Sequence, residues 1–191
     1  MKKTGKIIAV SSPSGGGKTS VVKQVLKDFP EIIFSVSVTS RPKRKNEVDG
    51  VDYFFVDDKE FERRIKNNEF IEWERFYDYY YGTLKNFIDD NIAAGKSVLF
   101  EVDVKGALSL KKDYPDNSYL IYIDPPSFEE LIKRLKNRKT ENEEDLQKRI
   151  DRAKMELSYK DKFDYIFIND DLNKVCNNVK SLIKEILSKE R

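Results

Sequence analysis

Apolar positions along this chain fall into two periods. Ile7 to Val10 is a four-residue apolar run bounded by polar residues, which predicts a buried strand. From Lys18 to Asp28, Val21, Val22, Val25 and Leu26 recur at helical spacing, with Phe29 continuing the face and Pro30 ending it. The β-branched run Ile32 to Val38 predicts a strand, as does Tyr53 to Val56. Asp57 or Asp58 can cap a helix reaching Asn67, and Phe70 to Trp73 and Tyr79 to Tyr81 predict two further short strands. Thr83 can cap a helix from Leu84 to Ala94, with Gly95 suited to its C-terminal turn. Ser97 to Val102 and Ser118 to Ile123 are strands. Ser127 and Glu130 have capping-box spacing ahead of Leu131, Ile132 and Leu135. Lys139 to Asn142 breaks that helix, and Glu143 to Lys160 is a second, charged one. Tyr165 to Ile168 is a last buried strand, followed by a helix whose stripe is Val175, Val179, Leu182, Ile183, Ile186 and Leu187.

Strands alternating with helices imply a parallel sheet covered on both faces, here with five strands. The short strands between about Ser35 and Ala94 break that rhythm and predict a small α/β lobe with antiparallel strands, inserted into the core sheet. At 191 residues the chain is one domain. The expected division is core 1–34, 95–127 and 159–191, inserted lobe 35–94 and helical lid 128–158.

Composition narrows the chemistry. The chain has no histidine, which excludes a Ser-His-Asp triad, a His-ligated metal and a His general base. It has one cysteine, Cys176, which excludes an intrachain disulfide and a Cys-based zinc or iron–sulfur site. Carboxylates, Arg and Lys, hydroxyls, backbone amides and a hard cation remain. Lys and Arg number 36 against 34 Asp and Glu, a formal charge of +2 with both signs interspersed, which argues against a nucleic-acid-coating protein. No apolar run approaches the ~18 residues of a membrane span. With no export pattern at the start and a single thiol, the expected address is cytoplasmic.

Ser12-Pro13-Ser14-Gly15-Gly16-Gly17-Lys18-Thr19 lies between the first strand and the first helix and matches a phosphate-binding Walker A loop from Gly17 onward. Glycines let successive N–H groups converge on phosphate oxygens, and the helix N-terminus adds positive potential. Ser14, Gly15, Gly16, Gly17, Lys18, Thr19 and Ser20 form the expected triphosphate cradle, with Lys18 reaching the β/γ-phosphates and Thr19 binding Mg²⁺. Ser12 stands where the pattern has its first glycine; a positive φ there would cost about 1–2 kcal/mol. Val98 to Asp103 is an apolar strand ending in carboxylates, and Asp103 is the candidate for the Mg²⁺ shell. A solvated strand-end aspartate is the alternative.

Further segments are Ser37-Val38-Thr39-Ser40-Arg41-Pro42-Lys43-Arg44, Glu47 to Tyr53, Phe70-Ile71-Glu72-Trp73, Tyr80-Tyr81-Gly82-Thr83, Glu101 to Gly106, Arg134 to Glu141, Lys148-Arg149 and Asn169 to Leu172. In this order, and with the loop above, they resemble the guanylate kinase family over nearly the whole chain. The resemblance implies a P-loop kinase fold and transfer of the ATP γ-phosphoryl group to GMP, and to dGMP. Arg41 and Arg44 would hold the GMP phosphate as planar bidentate donors, with the hydroxyls of Tyr53 and Tyr81. Glu72 matches the position that reads guanine, whose N1–H and N2–H₂ donors ask for a carboxylate; adenine lacks the N1–H and would be rejected. Ser37 would serve O6, and Thr83 and Glu101 would complete the base pocket.

The resemblance also implies a lid. Arg134, Arg138 and Arg149 match arginines that clamp the triphosphate, with Arg138 and Arg149 facing the transition state, and Asn169 matches an adenine contact. Lys18, Arg44, Arg138 and Arg149 are the expected catalytic set. The acceptor is an ionised phosphate, so no general base is needed and the missing histidine costs nothing. Two other classes stay open: a guanylate-kinase-like module that binds partner peptides without catalysis, and a P-loop ATPase or GTPase switch. Lys18 and Thr19 argue against the first, and the absence of Asn-Lys-x-Asp against a GTPase. Monomer and homodimer are both open.

Overall fold

The computed structural model describes residues 4–76, 78–137 and 143–189, without the side chains of 76 and 143–145. The first apolar run is β1 (Ile7–Ser11), and the first amphipathic stripe is α1 (Lys18–Asp28). The chain then forms β2 (Ile33–Phe34), β3 (Val38–Thr39), β4 (Phe54–Phe55), α2 (Asp58–Lys66), β5 (Phe70–Phe76), β6 (Tyr79–Leu84) and α3 (Lys85–Ala93). It returns through β7 (Val98–Glu101), α4 (Val104–Asp113), β8 (Ser118–Asp124), α5 (Phe128–Lys136), α6 (Glu143–Leu157), β9 (Tyr165–Ile168) and α7 (Leu172–Ser188).

Five strands make one parallel sheet in the order β2-β7-β1-β8-β9. Neither face of β1 and β8 reaches water, which is why both read as near-continuous apolar runs. On one face Val21, Val22 and Val25 of α1 meet Val175, Val179 and Ile183 of α7 over Ile8 and Ile121. On the other, Val104, Ala107 and Leu110 of α4 and Ile88 of α3 cover Ile7, Phe100 and Tyr122. Helix α3 thus packs with the core layer, although its residues fall within the 35–94 segment. Order reversal about β1 opens a crevice at the carboxyl ends of β1 and β7, where α/β sheets bind ligands.

The second sheet has the order β4-β3-β6-β5 and rests on α2 through Phe61, Phe70 and Val38. Phe61 stacks on Phe70 and Tyr80, with ring centroids 4.4 and 5.1 Å away. This sheet is mixed rather than antiparallel, because β3 and β4 run parallel.

Three further sequence expectations change. The Ile32 to Val38 run divides into β2 and β3, which belong to different sheets. Residues 104–113, for which the pattern predicts no element, form α4, capped by the Asp103 carboxylate on the Gly106 N–H at 2.7 Å. Thr83 does not cap α3; the N-cap is Leu84, and the Thr83 hydroxyl is turned to Glu72. The caps expected at Asp57 and Ser127 form, on Glu60 and Glu130 respectively. Arg138 lies outside the described residues.

Candidate active site

The loop from Ser12 to Gly17 turns at the carboxyl end of β1. Gly15 and Gly17 sit at φ +85° and +99°, where side chains are disfavoured. A Cβ on Gly17 would stand 2.3 Å from Asn169 Nδ2, which donates to the Gly16 carbonyl at 2.8 Å. The backbone N–H of buried Asn169 is itself fixed on the Asp124 carbonyl at 2.7 Å. Asn169 therefore props the loop from behind, and Arg134 adds a bond to its carbonyl at 3.2 Å. Ser12 carries no left-handed strain: Asn68 is the one non-glycine at positive φ among the described residues. No side chain caps α1, so its N-terminal dipole end faces the crevice. Lys18 Nζ donates to the Val102 carbonyl at 3.1 Å.

Thr19 Oγ1 donates to Glu101 Oε1 at 2.5 Å. The two acids expected near the site take different places. Strand β7 delivers Glu101, not Asp103, to the Walker threonine. Asp103, past the strand end, caps α4 and faces Glu72 across Gly106. The adjacent hydroxyl and carboxylate are hard oxygen donors beside the phosphate loop, a set that suits Mg²⁺ sharing its other positions with water and phosphate.

Across the crevice, β5 and β6 present the acceptor side. Glu72 and Thr83 are cross-strand partners, and Thr83 Oγ1 donates to Glu72 Oε1 at 2.7 Å. Burial pushes the Glu72 carboxyl up to about 7 against that hydrogen bond, with Asp103 and Glu74 adding repulsion. Tyr53 and Tyr81 meet edge to face with centroids 5.9 Å apart, and the Arg41 guanidinium lies 5.5 Å over the Tyr53 ring. Burial and Tyr81 raise the Tyr53 phenol above its ordinary range, so it stays a donor. Arg41 is buried and holds Glu47 by two bonds of 2.7 and 3.1 Å. That carboxylate occupies the bidentate face a phosphate would use. Arg44 is exposed; its N–H donates to the Glu47 carboxylate at 2.8 Å and its carbonyl accepts the Glu47 N–H at 3.1 Å.

One cavity of about 530 Å³ joins the two sides. Ser14, Gly15, Gly17, Lys18, Thr19 and Ser20 line it from the phosphate loop. Ser37, Tyr53, Glu72 and Tyr81 line it from the lobe, and Glu101, Asp103 and Arg149 from the core and α6. Three charged residues there escaped sequence reasoning: Glu74, Arg152 and Glu156. Arg152 reaches Glu74 at 2.8 Å, Asp103 at 3.2 Å and Glu156 at 3.0 Å. Burial disfavours its charge, but the carboxylates outweigh that and raise its pKa. Glu156 also accepts the Ser14 N–H at 2.9 Å. The signal was the spacing Arg149, Arg152, Glu156, which places all three on one helical face.

A family model described as guanylate kinase matches residues 4–186. A guanylate kinase of Thermotoga maritima is 45% identical over 180 residues, covering 94% of this chain and 86% of that protein. One of Chlorobaculum tepidum is 46% identical over 183 residues, covering 96% and 94%. The crystal structure of guanylate kinase from Anaplasma phagocytophilum matches with a TM-score of 0.79 at 32% identity, covering 98% of this chain and 89% of that one.

Proposed function

The chain belongs to the guanylate kinase family, and from that membership we propose how its crevice moves the γ-phosphoryl group of ATP to GMP. The observation that carries the assignment is one cavity with a Walker loop on one wall and a half-buried, hydroxyl-oriented carboxylate on the other.

Glu72 reads guanine. Thr83 fixes one carboxylate oxygen, which leaves the pair able to accept from N1–H and N2–H₂. The base must meet the ionised form, so guanine binding draws the Glu72 proton off. Asp103, close enough to push on Glu72, takes the remaining place at the base edge rather than at the metal. Arg41, Tyr53 and Tyr81 take the GMP phosphate. Arg41 exchanges Glu47 for that dianion, trading one bidentate partner for a more highly charged one.

On the donor side, loop amides and Lys18 hold the β- and γ-phosphates, and Lys18 leaves the Val102 carbonyl to do so. Thr19, with Glu101 beside it, would hold Mg²⁺, which would neutralise charge on the phosphates when bound. Arg149 lines the cavity and stabilises charge on the transferring group. Asn169 and Arg134 keep the loop in place, Asn169 through its side-chain Nδ2 on the Gly16 carbonyl and Arg134 through the Asn169 carbonyl. The GMP phosphate oxygen attacks without a general base. Exclusion of water between the two walls protects ATP from hydrolysis.

No helix among the described residues is long and apolar enough to cross a membrane. We place the enzyme in the cytoplasm, in purine nucleotide metabolism, with dGMP as a second acceptor. The direct test is ³¹P NMR of a mixture of ATP, Mg²⁺ and GMP with the protein. ADP and GDP should grow in equal amounts, whereas inorganic phosphate alone would contradict the assignment.

A further inference from the structure

We infer that Arg152 is a positioning residue that couples the two nucleotide sites, tying Glu74 of the acceptor lobe to Glu156, whose carboxylate holds the Ser14 amide of the phosphate loop. The inference rests on the reading that the lobe takes GMP and the loop takes ATP.

The links are short and continuous. Glu74 lies two residues beyond Glu72 on β5, so both side chains project to the same face, and both line the cavity. A force on Glu72 from guanine therefore acts on the strand segment that carries Glu74. Arg152 spans 2.8 Å to Glu74 Oε2 and 3.0 Å to Glu156 Oε1. Glu156 spans 2.9 Å from its other oxygen to the Ser14 N–H. A single carboxylate thus bridges a guanidinium bound to the lobe and a backbone amide of the Walker loop. A fourth contact, Arg152 to Asp103, fixes the guanidinium against the core.

Fold stability alone is a weak reason for the Glu74 end of this chain. The Glu74 and Arg152 side chains are 40% and 22% exposed, and pairs of that kind contribute little to folding. The Glu156 end differs, with 5% side-chain exposure, so removing Arg152 would leave a buried carboxyl without its ion pair. The guanidinium that pairs with Glu156, the carboxylate holding Ser14, is the same one that Glu74 engages from the lobe. The contacts run unbroken from lobe to loop, so they set the separation of the two. Filling the lobe restrains Glu74 and lowers the cost of ordering the loop for ATP. Linkage makes the effect reciprocal.

Calorimetry measures it: the Kd of GMP without and with saturating Mg²⁺ and β,γ-imido-ATP, in the full chain. Couplings between sites are commonly about 5–150-fold, and we expect the wild-type Kd ratio to fall in that range. Glu74→Gln and Arg152→Gln should each bring the ratio at least about threefold closer to one. The double variant should show no further loss, because both changes cut the same chain. Glu74→Gln changes a half-exposed surface side chain and carries the test if Arg152→Gln does not fold. A wild-type ratio of one, or a ratio that survives in Glu74→Gln, would overturn the coupling role while leaving the kinase reading intact. Failure of the wild type to bind GMP or the ATP analogue would instead strike at the kinase reading.

Discussion

Glu72 concentrates the specificity argument in one carboxyl group. In the proposed reading it would accept two charge-assisted bonds from a guanine edge, and such bonds contribute about 1.5–3 kcal/mol each. Glu72→Gln keeps the shape but replaces one acceptor with a donor. We expect kcat/KM for GMP to fall by roughly a hundredfold or more, with the Kd of ATP nearly unchanged by calorimetry. The raised Glu72 pKa, about 7, adds a pH signature. Below that value the empty site holds a neutral carboxyl that must lose its proton to accept guanine, so affinity weakens with acid by up to about tenfold per pH unit. Guanosine, which has no titrating phosphate, isolates the effect as a competitive inhibitor: its Ki should rise below about pH 7 in the wild type and stay flat in Glu72→Gln. The sign for folding is opposite. A carboxyl whose folded pKa lies above its unfolded value favours the fold at low pH, and that contribution is lost as pH rises from about 4.5 to 7. At this scale the sequence offers the carboxylate that guanine's donors ask for, and the fold turns it into the cavity. The hydroxyl behind it was placed in the same pocket but also given a capping role that Leu84 holds instead. Arg44 looked equivalent to Arg41 in sequence. Only the fold turns one inward and leaves the other in solvent.

The elements carry the donor side. Gly17 combines a left-handed backbone with a 2.3 Å approach of Asn169 to its missing Cβ. Gly17→Ala should cost about 1–2 kcal/mol for the backbone plus displacement of Asn169. We expect Tm to drop by about 2–8 °C and the KM of ATP to rise, both measurable on one preparation. Strand β7 yields a second expectation through the two acids at its end. Glu101→Gln should raise the Mg²⁺ concentration for half-maximal activity by about ten- to a hundredfold, the usual effect of losing an outer-shell carboxylate. Asp103→Asn should raise the KM of GMP and leave the Mg²⁺ requirement alone. Equal Mg²⁺ profiles in Glu101→Gln and wild type would refute that placement. Strongly periodic elements and their caps were readable, since Val21, Val22 and Val25 or Ser127 and Glu130 act locally. Helix α4 was not, because its ten residues mix Val104, Ala107 and Leu110 with three lysines, and its capping Asp103 reads as a strand end. Which of two carboxylates faces Thr19 was not legible either, because it depends on where β7 stops.

At the scale of the molecule, two sheets place a phosphate loop and a base-reading strand on opposite walls of one cavity. The alternation of strands and helices made the core sheet legible, and the interruption after Ser35 marked the lobe. The contacts between the parts were not legible. Glu74, Arg152 and Glu156 come from a strand and a helix 78 residues apart, and no local pattern announces their meeting. The central claim is that phosphoryl transfer occurs end to end across this cavity, to a guanine nucleotide selected by Glu72. The most direct measurement is coupled ADP release with ATP, Mg²⁺ and each of GMP, dGMP, AMP, UMP and dTMP, for wild type and Glu72→Gln. Turnover with GMP and dGMP, roughly 10⁴-fold slower turnover with AMP, and collapse of the guanine preference in Glu72→Gln are expected. Equal wild-type rates with AMP and GMP, or ADP release indifferent to any acceptor, would contradict it.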